Sequence, residues 1–508
     1  MRRVVRRAAK QVSLSGCAAI ALCTSSGVAR ADHDRESEHR VLRRHALVIS
    51  SSSYDSSQGA VASLKVGSPI PNTATATIPA VAGNDYVNVW KNAAVDGSFG
   101  ITSAIELMTV EPHSGRVLNR LRVDADEVVT SFSSKSELGL HFAKDDDGGH
   151  LVFVAYAGPG VGSIDVSNSD AVPGQDPTNP VTFAFGSKYA FARTIVSVND
   201  DGHVRYTPTV NYGGNNGRSA LLAPNGLYYS VGNANNGDAS TFGPNGTNPD
   251  VTETTGLEVV TPIDARSANV PVPAGNSAEV DPLIQYQFGT KPDKAGKDNN
   301  YRGITEYGGA LYFTKGSGGN GIDTVYTVSS LPTVATAAST KISIVPGFPT
   351  DAAKVTGGNF TPFAVFFANP TTMYVTDEAS GNALDKASHG GLQKWSLVSG
   401  VWQLDYVLTS GLIGTVDGTL DGADGPWPAV TTVGLRNLTG VVHGGKVTLW
   451  ATTSTSSASG DNGADPNKVV EIADDVDATT ASEVANESFR VVVGPTYGTV
   501  YRGVAYVN

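Results

Sequence analysis

Carboxylate and carboxamide side chains gather in a set of glycine-rich loops. Oxygen ligands of this type suit two kinds of chemistry: coordination of Ca²⁺ and hydrogen bonding to the hydroxyls of a sugar. One loop, Gly232–Asp238, carries Asn233, Asn235 and Asp238, and a second, Gly316–Asp323, carries Asn320 and Asp323. A third opens on Asp377 and Glu378, and a fourth, Gly460–Asp465, holds Asp461. His389, in a glycine-rich stretch beside Asp377 and Glu378, is the histidine to test as an acid or base. Asp417, Asp421 and Asp424 place three carboxylates within eight residues, enough to hold one Ca²⁺. Their spacing departs from the alternate-residue pattern of calcium loops. Turn chemistry is the competing explanation throughout, because Asn, Asp and Gly are the residues that turns require.

Stronger catalytic signatures are absent. The chain has no HExxH, no P-loop, no GxSxG elbow and no EF-hand loop. Gly316–Gly321 matches GxGxxG, but it joins two predicted strands and does not lead from a strand into a helix, as dinucleotide binding requires. His141 and His443 fall within strand pairs and read as structural. Trp395, Trp402, Trp427 and Trp450 would suit a sugar platform, although Trp395 and Trp450 lie on strands that pack between sheets.

The elements that must position these loops are strands. Of 508 residues, 57 are Gly and 17% are charged, against about 25% in an average soluble domain. Low charge with many turn formers and β-branched residues suits short strands and tight turns. The first 31 residues stand apart. Arg2, Arg3, Arg6, Arg7 and Lys10 precede an apolar run from Val12 to Cys23, and Ala29-Arg30-Ala31 offers a cleavage site. This is the pattern of a secretory signal peptide cut after Ala31, so a secreted or periplasmic location is expected. Cys17 also sits in a lipobox-like Leu14-Ser15-Gly16-Cys17, but too early in the apolar run for lipidation. No other stretch approaches the ~20 apolar residues of a membrane helix, so no integral membrane segment is expected.

Both cysteines, Cys17 and Cys23, lie in this leader, so the mature chain has no disulfide or thiolate chemistry. Cleavage removes six basic residues and no acidic one, taking the net charge from −12 to −18. Such a balance argues against a nucleic-acid partner, which would want a basic face. Residues 32–44 are dense in mixed charge and read as a flexible leader to a single domain at 45–508.

Within that domain a strand, a turn and a near-continuous apolar second strand recur. Tyr301-Arg302-Gly303-Ile304 followed by Ala310–Thr314 is one example, and Leu438–Val442 followed by Lys446–Ala451 is another. Ser219–Leu222 with Leu227–Ser230, Phe363–Phe367 with Met373–Thr376, and Leu138–Phe142 with Leu151–Val154 repeat it. From Leu151 the second strands start again after 76, 84, 62 and 74 residues. Further strands follow each pair, and four antiparallel strands per repeat is the signature of a β-propeller. The final Tyr501–Val507 copies a first strand with no second, whereas Ala46–Ser50 is a second strand with no first. Their pairing would close the ring. The gap from Leu47 to Leu151 has room for one more module around Tyr86–Trp90, so seven blades are favoured, with six as the alternative. A string of β-sandwiches is the competing architecture.

The Tyr301–Thr314 segment, the Gly391–Trp395 strand and the terminal Tyr501–Val507 strand resemble those of the secreted bacterial propellers of the NHL and YVTN type, in particular members without an assigned activity. The resemblance implies the all-β propeller fold and no chemistry. The expected function is binding of a carbohydrate, an envelope component, another small molecule or a protein on the loop-rich face. A Ca²⁺-dependent lactonase or phosphoesterase, with Asn233, Asn320, Asp377 and Glu378 as ligands, is the enzymatic alternative. A structural surface protein is the third.

Overall fold

The computed structural model describes residues 42–508, apart from 72–76, 80–100, 133, 135, 146–147, 159, 164–191, 214, 235–254, 283, 285–297, 317–320, 354–358, 381–389, 423–425 and 457–462. Among the described residues the elements are strands and short 3-10 turns, so the all-β class holds. Four sheets are separate four-stranded antiparallel meanders. The first runs Gly217–Leu222, Tyr228–Gly232, Gly256–Val260, Ser277–Glu279, and the second runs Ile304–Tyr307, Ala310–Lys315, Thr324–Val328, Ser343–Ile344. The third is Pro362–Asn369, Thr372–Asp377, Gly391–Val398, Val401–Leu408, and the fourth is Thr431–His443, Lys446–Ser456, Val469–Asp475, Arg490–Val493.

A nine-stranded sheet completes the arrangement. One part is the meander Thr499–Val507, Ala46–Ser53, Thr102–Val110, Val117–Arg122. Another is His141–Asp145, Gly148–Ala157, Arg193–Asn199, Val204–Thr209. Val128–Ser131 pairs with both and joins them. The expected closure is therefore present, with Ala46 opposite Val507 and Ile49 opposite Val504.

The count of seven blades is corrected. Among its described residues the stretch from Leu47 to Leu151 forms no four-stranded sheet of its own: it supplies the third and fourth strands of the closing meander, the joining strand Val128–Ser131 and the first strand of the next meander, His141–Asp145. A long insertion between Ser53 and Thr102 separates these strands from their partner and mimics a repeat in the spacing. The Tyr86–Trp90 segment lies outside the described residues.

The first strand of each meander is innermost. In the order Thr499–Val507, His141–Asp145, Gly217–Leu222, Ile304–Tyr307, Pro362–Asn369 and Thr431–His443, each touches the next and the last touches the first. The approach is close: a Cβ on Gly503 would lie 2.3 Å from the carbonyl oxygen of Leu138, three residues ahead of the neighbouring strand His141–Asp145.

Second strands such as Tyr228–Gly232 and Thr372–Asp377 are buried along their whole length, as their largely apolar character suits where sheets press on both faces. Outer strands alternate with solvent, as Val401–Leu408 does. The apolar cores lie between neighbouring sheets. Val152, Ile195 and Tyr228 fill one junction, and Val259, Leu311 and Phe313 another. Val325, Val375 and Trp395 fill a third, and Leu392, Leu449 and Ile472 a fourth. Trp450 closes the circuit. It stacks on Tyr506 with centroids 5.2 Å apart and donates its indole N–H to Glu471 (2.9 Å) and the Pro112 carbonyl (3.0 Å).

Candidate functional site

The inner strands deliver two polar groups of side chains, one at each end of the axis they surround. At the end of the first-to-second-strand hairpins lies a funnel of about 600 Å³. Its wall combines aromatic rings, Phe142, Tyr307 and Phe366, with the charged groups of Lys144, Asp145 and Glu306. Tyr307 is held by stacking on Phe367 at 4.4 Å, and Glu306 is fixed by the N–H of Gly309 at 2.7 Å. His141 also lines the funnel, and its Nε2 lies 3.0 Å from the Ser219 hydroxyl. Burial pushes this imidazole down to about 4, so it is neutral at pH 7.

Beyond His141 the axis narrows. Gly139 bridges to Ser219, and a side chain on Gly139 would run into both Ser219 and Asn437. On the far side of this waist four of the six inner strands carry a buried arginine: Arg302 lies two residues ahead of Ile304–Tyr307, and Arg218, Arg502 and Arg436 are the second, fourth and sixth residues of their strands. Arg218 and Arg302 both donate to one hydroxyl, Ser136 Oγ, the second at 2.8 Å. Two guanidinium groups sharing one oxygen are no more than about 6 Å apart, two hydrogen-bond lengths. At that distance, and at an effective dielectric constant of ~20, two unit charges repel by about 3 kcal/mol. Arg218 is accordingly held well below the ordinary guanidinium range, first by burial and then by the Arg302 charge.

Four residues singled out in the sequence belong to this end, though inside the protein and not on its face. Asn233 is buried and its Oδ1 accepts from Arg218 Nη2 at 2.6 Å. Glu378 is buried and accepts from Arg436 Nε at 3.3 Å. Asp323 pairs with buried Lys315 at 2.6 Å; burial pushes the acid up and the amine down, and their mutual attraction opposes both shifts. Asp377 accepts from the hydroxyl of Thr361 and from the N–H of Ala379 (2.9 Å). Asn235, Asp238, Asn320, His389 and Asp461 lie outside the described residues.

The aspartates proposed for calcium do not join this group. Asp417 pairs with Lys468 at 3.2 Å, Asp421 is exposed, and Asp424 lies outside the described residues. Among the described residues no three His, Cys, Asp or Glu side chains stand together as a metal site. Trp427, weighed as a sugar platform, is buried against Tyr54, Phe132 and Tyr497.

Sequence reasoning missed the arginines and the funnel. The signal for the arginines was present: Tyr-Arg-Gly occurs at 301–303 and again at 501–503, at the same place in two first strands.

No family model matches this chain, and no curated protein matches it. Among solved structures, a GH43_1 enzyme from Xanthomonas citri complexed with xylose aligns at 10% identity and a TM-score of 0.30, covering 64% of this chain and 88% of its own. A GH43 β-1,3-galactosidase aligns at 12% and 0.29, covering 80% and 75%. A GH32 β-fructofuranosidase from Bombyx mori in complex with sucrose aligns at 10% and 0.27, covering 95% and 94%. Likeness at this level bears on neither a substrate nor a reaction. Among the described residues no helix is long and apolar enough to cross a membrane.

Proposed function

We propose that this chain is an exported propeller-type binding protein that takes a hydroxylated ligand, with carbohydrate as the leading class, in the funnel at the hairpin end of its axis. Export rests on the leader at residues 1–31. In this reading the nine-stranded sheet counts as two blades joined by Val128–Ser131, which makes six around the axis.

One observation carries the binding reading: a concave site of about 600 Å³ in which rings of Phe142, Tyr307 and Phe366 adjoin Lys144, Asp145 and Glu306. Ligand pockets of about 300–1,000 Å³ combine apolar walls with a few polar groups that fix orientation. A sugar offers the matching surface: an apolar C–H face for a ring, and hydroxyls for charged side chains.

The test is a glycan array followed by calorimetry on residues 32–508. Binding of a defined glycan that weakens about tenfold in Phe366→Ala, and also in Lys144→Ala, supports the reading; tenfold is about 1.4 kcal/mol. Absence of glycan binding by the folded protein, or binding unchanged in both variants, ends it.

A further inference from the structure

We propose a second site, independent of the funnel: an oxyanion, as carboxylate or phosphate, is held between Arg218 and Arg302 at the opposite end of the axis.

The argument starts from what these two side chains touch. Their relative exposures are 4% and 5%, so water does little to solvate their charge. The acceptor they share, Ser136 Oγ, is a neutral hydroxyl. Arg218 gains one further bond, to the neutral amide of Asn233.

Carboxylates are near, but each is already engaged. Glu137 accepts from Thr130 and Tyr156 hydroxyls and from the N–H of Ser131. Glu378 accepts from Arg436, and Asp323 from Lys315. The Nε–H groups of Arg218 and of Arg302 are both buried and meet no acceptor among the described residues. A buried charged donor without an acceptor is costly, and an oxyanion meets that need. The guanidinium edge formed by Nε and one Nη is the fork that carboxylate and phosphate accept with two oxygens. Asn233 and Ser136 hold the forks in place, and a negative charge between them also removes their mutual repulsion.

The pairing follows from the fold. Arg218 is the second residue of the strand Gly217–Leu222 and Arg302 lies two residues before the strand Ile304–Tyr307, and these strands are neighbours around the axis. Ser136 comes from the segment just before the adjoining inner strand.

The experiment uses the chain 32–508, thermal unfolding and calorimetry, with sodium phosphate and sodium acetate as separate probes and sodium chloride at matched ionic strength as the reference. A saturable rise in melting temperature with phosphate or acetate, beyond the chloride reference, is expected, together with a measurable dissociation constant. Whichever anion acts at the lower concentration identifies the source. Arg302→Gln should abolish the saturable effect. Arg302→Lys keeps the charge but loses the fork, and should weaken binding about tenfold or more. This milder change keeps the test decisive if the glutamine variant does not fold. No saturable effect of either anion on the parent chain, or an undiminished effect in Arg302→Lys, overturns the proposal.

Discussion

His141 shows how much the axis dictates to a single side chain. Its ring sits between the funnel and the waist, and burial holds its pKa at about 4 against an ordinary value of 6.5. The folded state thus prefers the neutral ring. The stability this preference confers is complete above about pH 6.5 and is lost as pH falls through about 4. His141→Gln should flatten that segment of the stability profile, reducing the loss between pH 6.5 and 4 by about 3 kcal/mol. Urea unfolding at several pH values for parent and variant measures it. Parallel profiles would mean that the ring is solvated.

At this scale the sequence was legible in part. Asn233, Asp323 and Glu378, expected on an open loop face, are buried and bonded to Arg218, Lys315 and Arg436. Residue type reveals a polar group. It does not reveal whether a partner from another sheet already occupies it.

Among elements, the inner strands bear the strictest constraint. Their packing depends on Gly503, whose missing side chain lets the terminal strand approach Leu138. Gly503→Ala should cost about 1–3 kcal/mol, since the neighbouring backbone must move. Gly494→Ala, where no heavy atom lies within 4 Å of an added Cβ, should stay within about 0.5 kcal/mol. Chemical denaturation of both variants tests this contrast, and equal effects would refute it. Strand existence and order were readable because apolar runs and glycine turns repeat. Blade number was not, because a spacing of about a hundred residues between Leu47 and Leu151 looks the same whether it holds a blade or an insertion.

For the whole molecule, closure rests on the pairing of Thr499–Val507 with Ala46–Ser53 and on the Trp450–Tyr506 stack beside it. Deleting residues 499–508 would leave the apolar Ala46–Ser53 strand with an unpaired edge and expose the face of Trp450. Such edges recruit other chains. The truncated protein should melt at least about 10 °C lower or elute as oligomers. A monomer of unchanged melting temperature would show that the closing strand is dispensable.

The partnership of residue 46 with residue 507 also imposes an order in time. Ala46 is among the first residues of the folded unit to leave the ribosome, and its partner is among the last. Every other sheet can form from a contiguous stretch of chain while synthesis proceeds. The clasp alone must wait for Thr499–Val507, so until that segment is available the folding chain is an open arc with one reactive edge. A holdase that shields that edge, or a translation rate that shortens the wait, should govern yield more strongly than any local propensity.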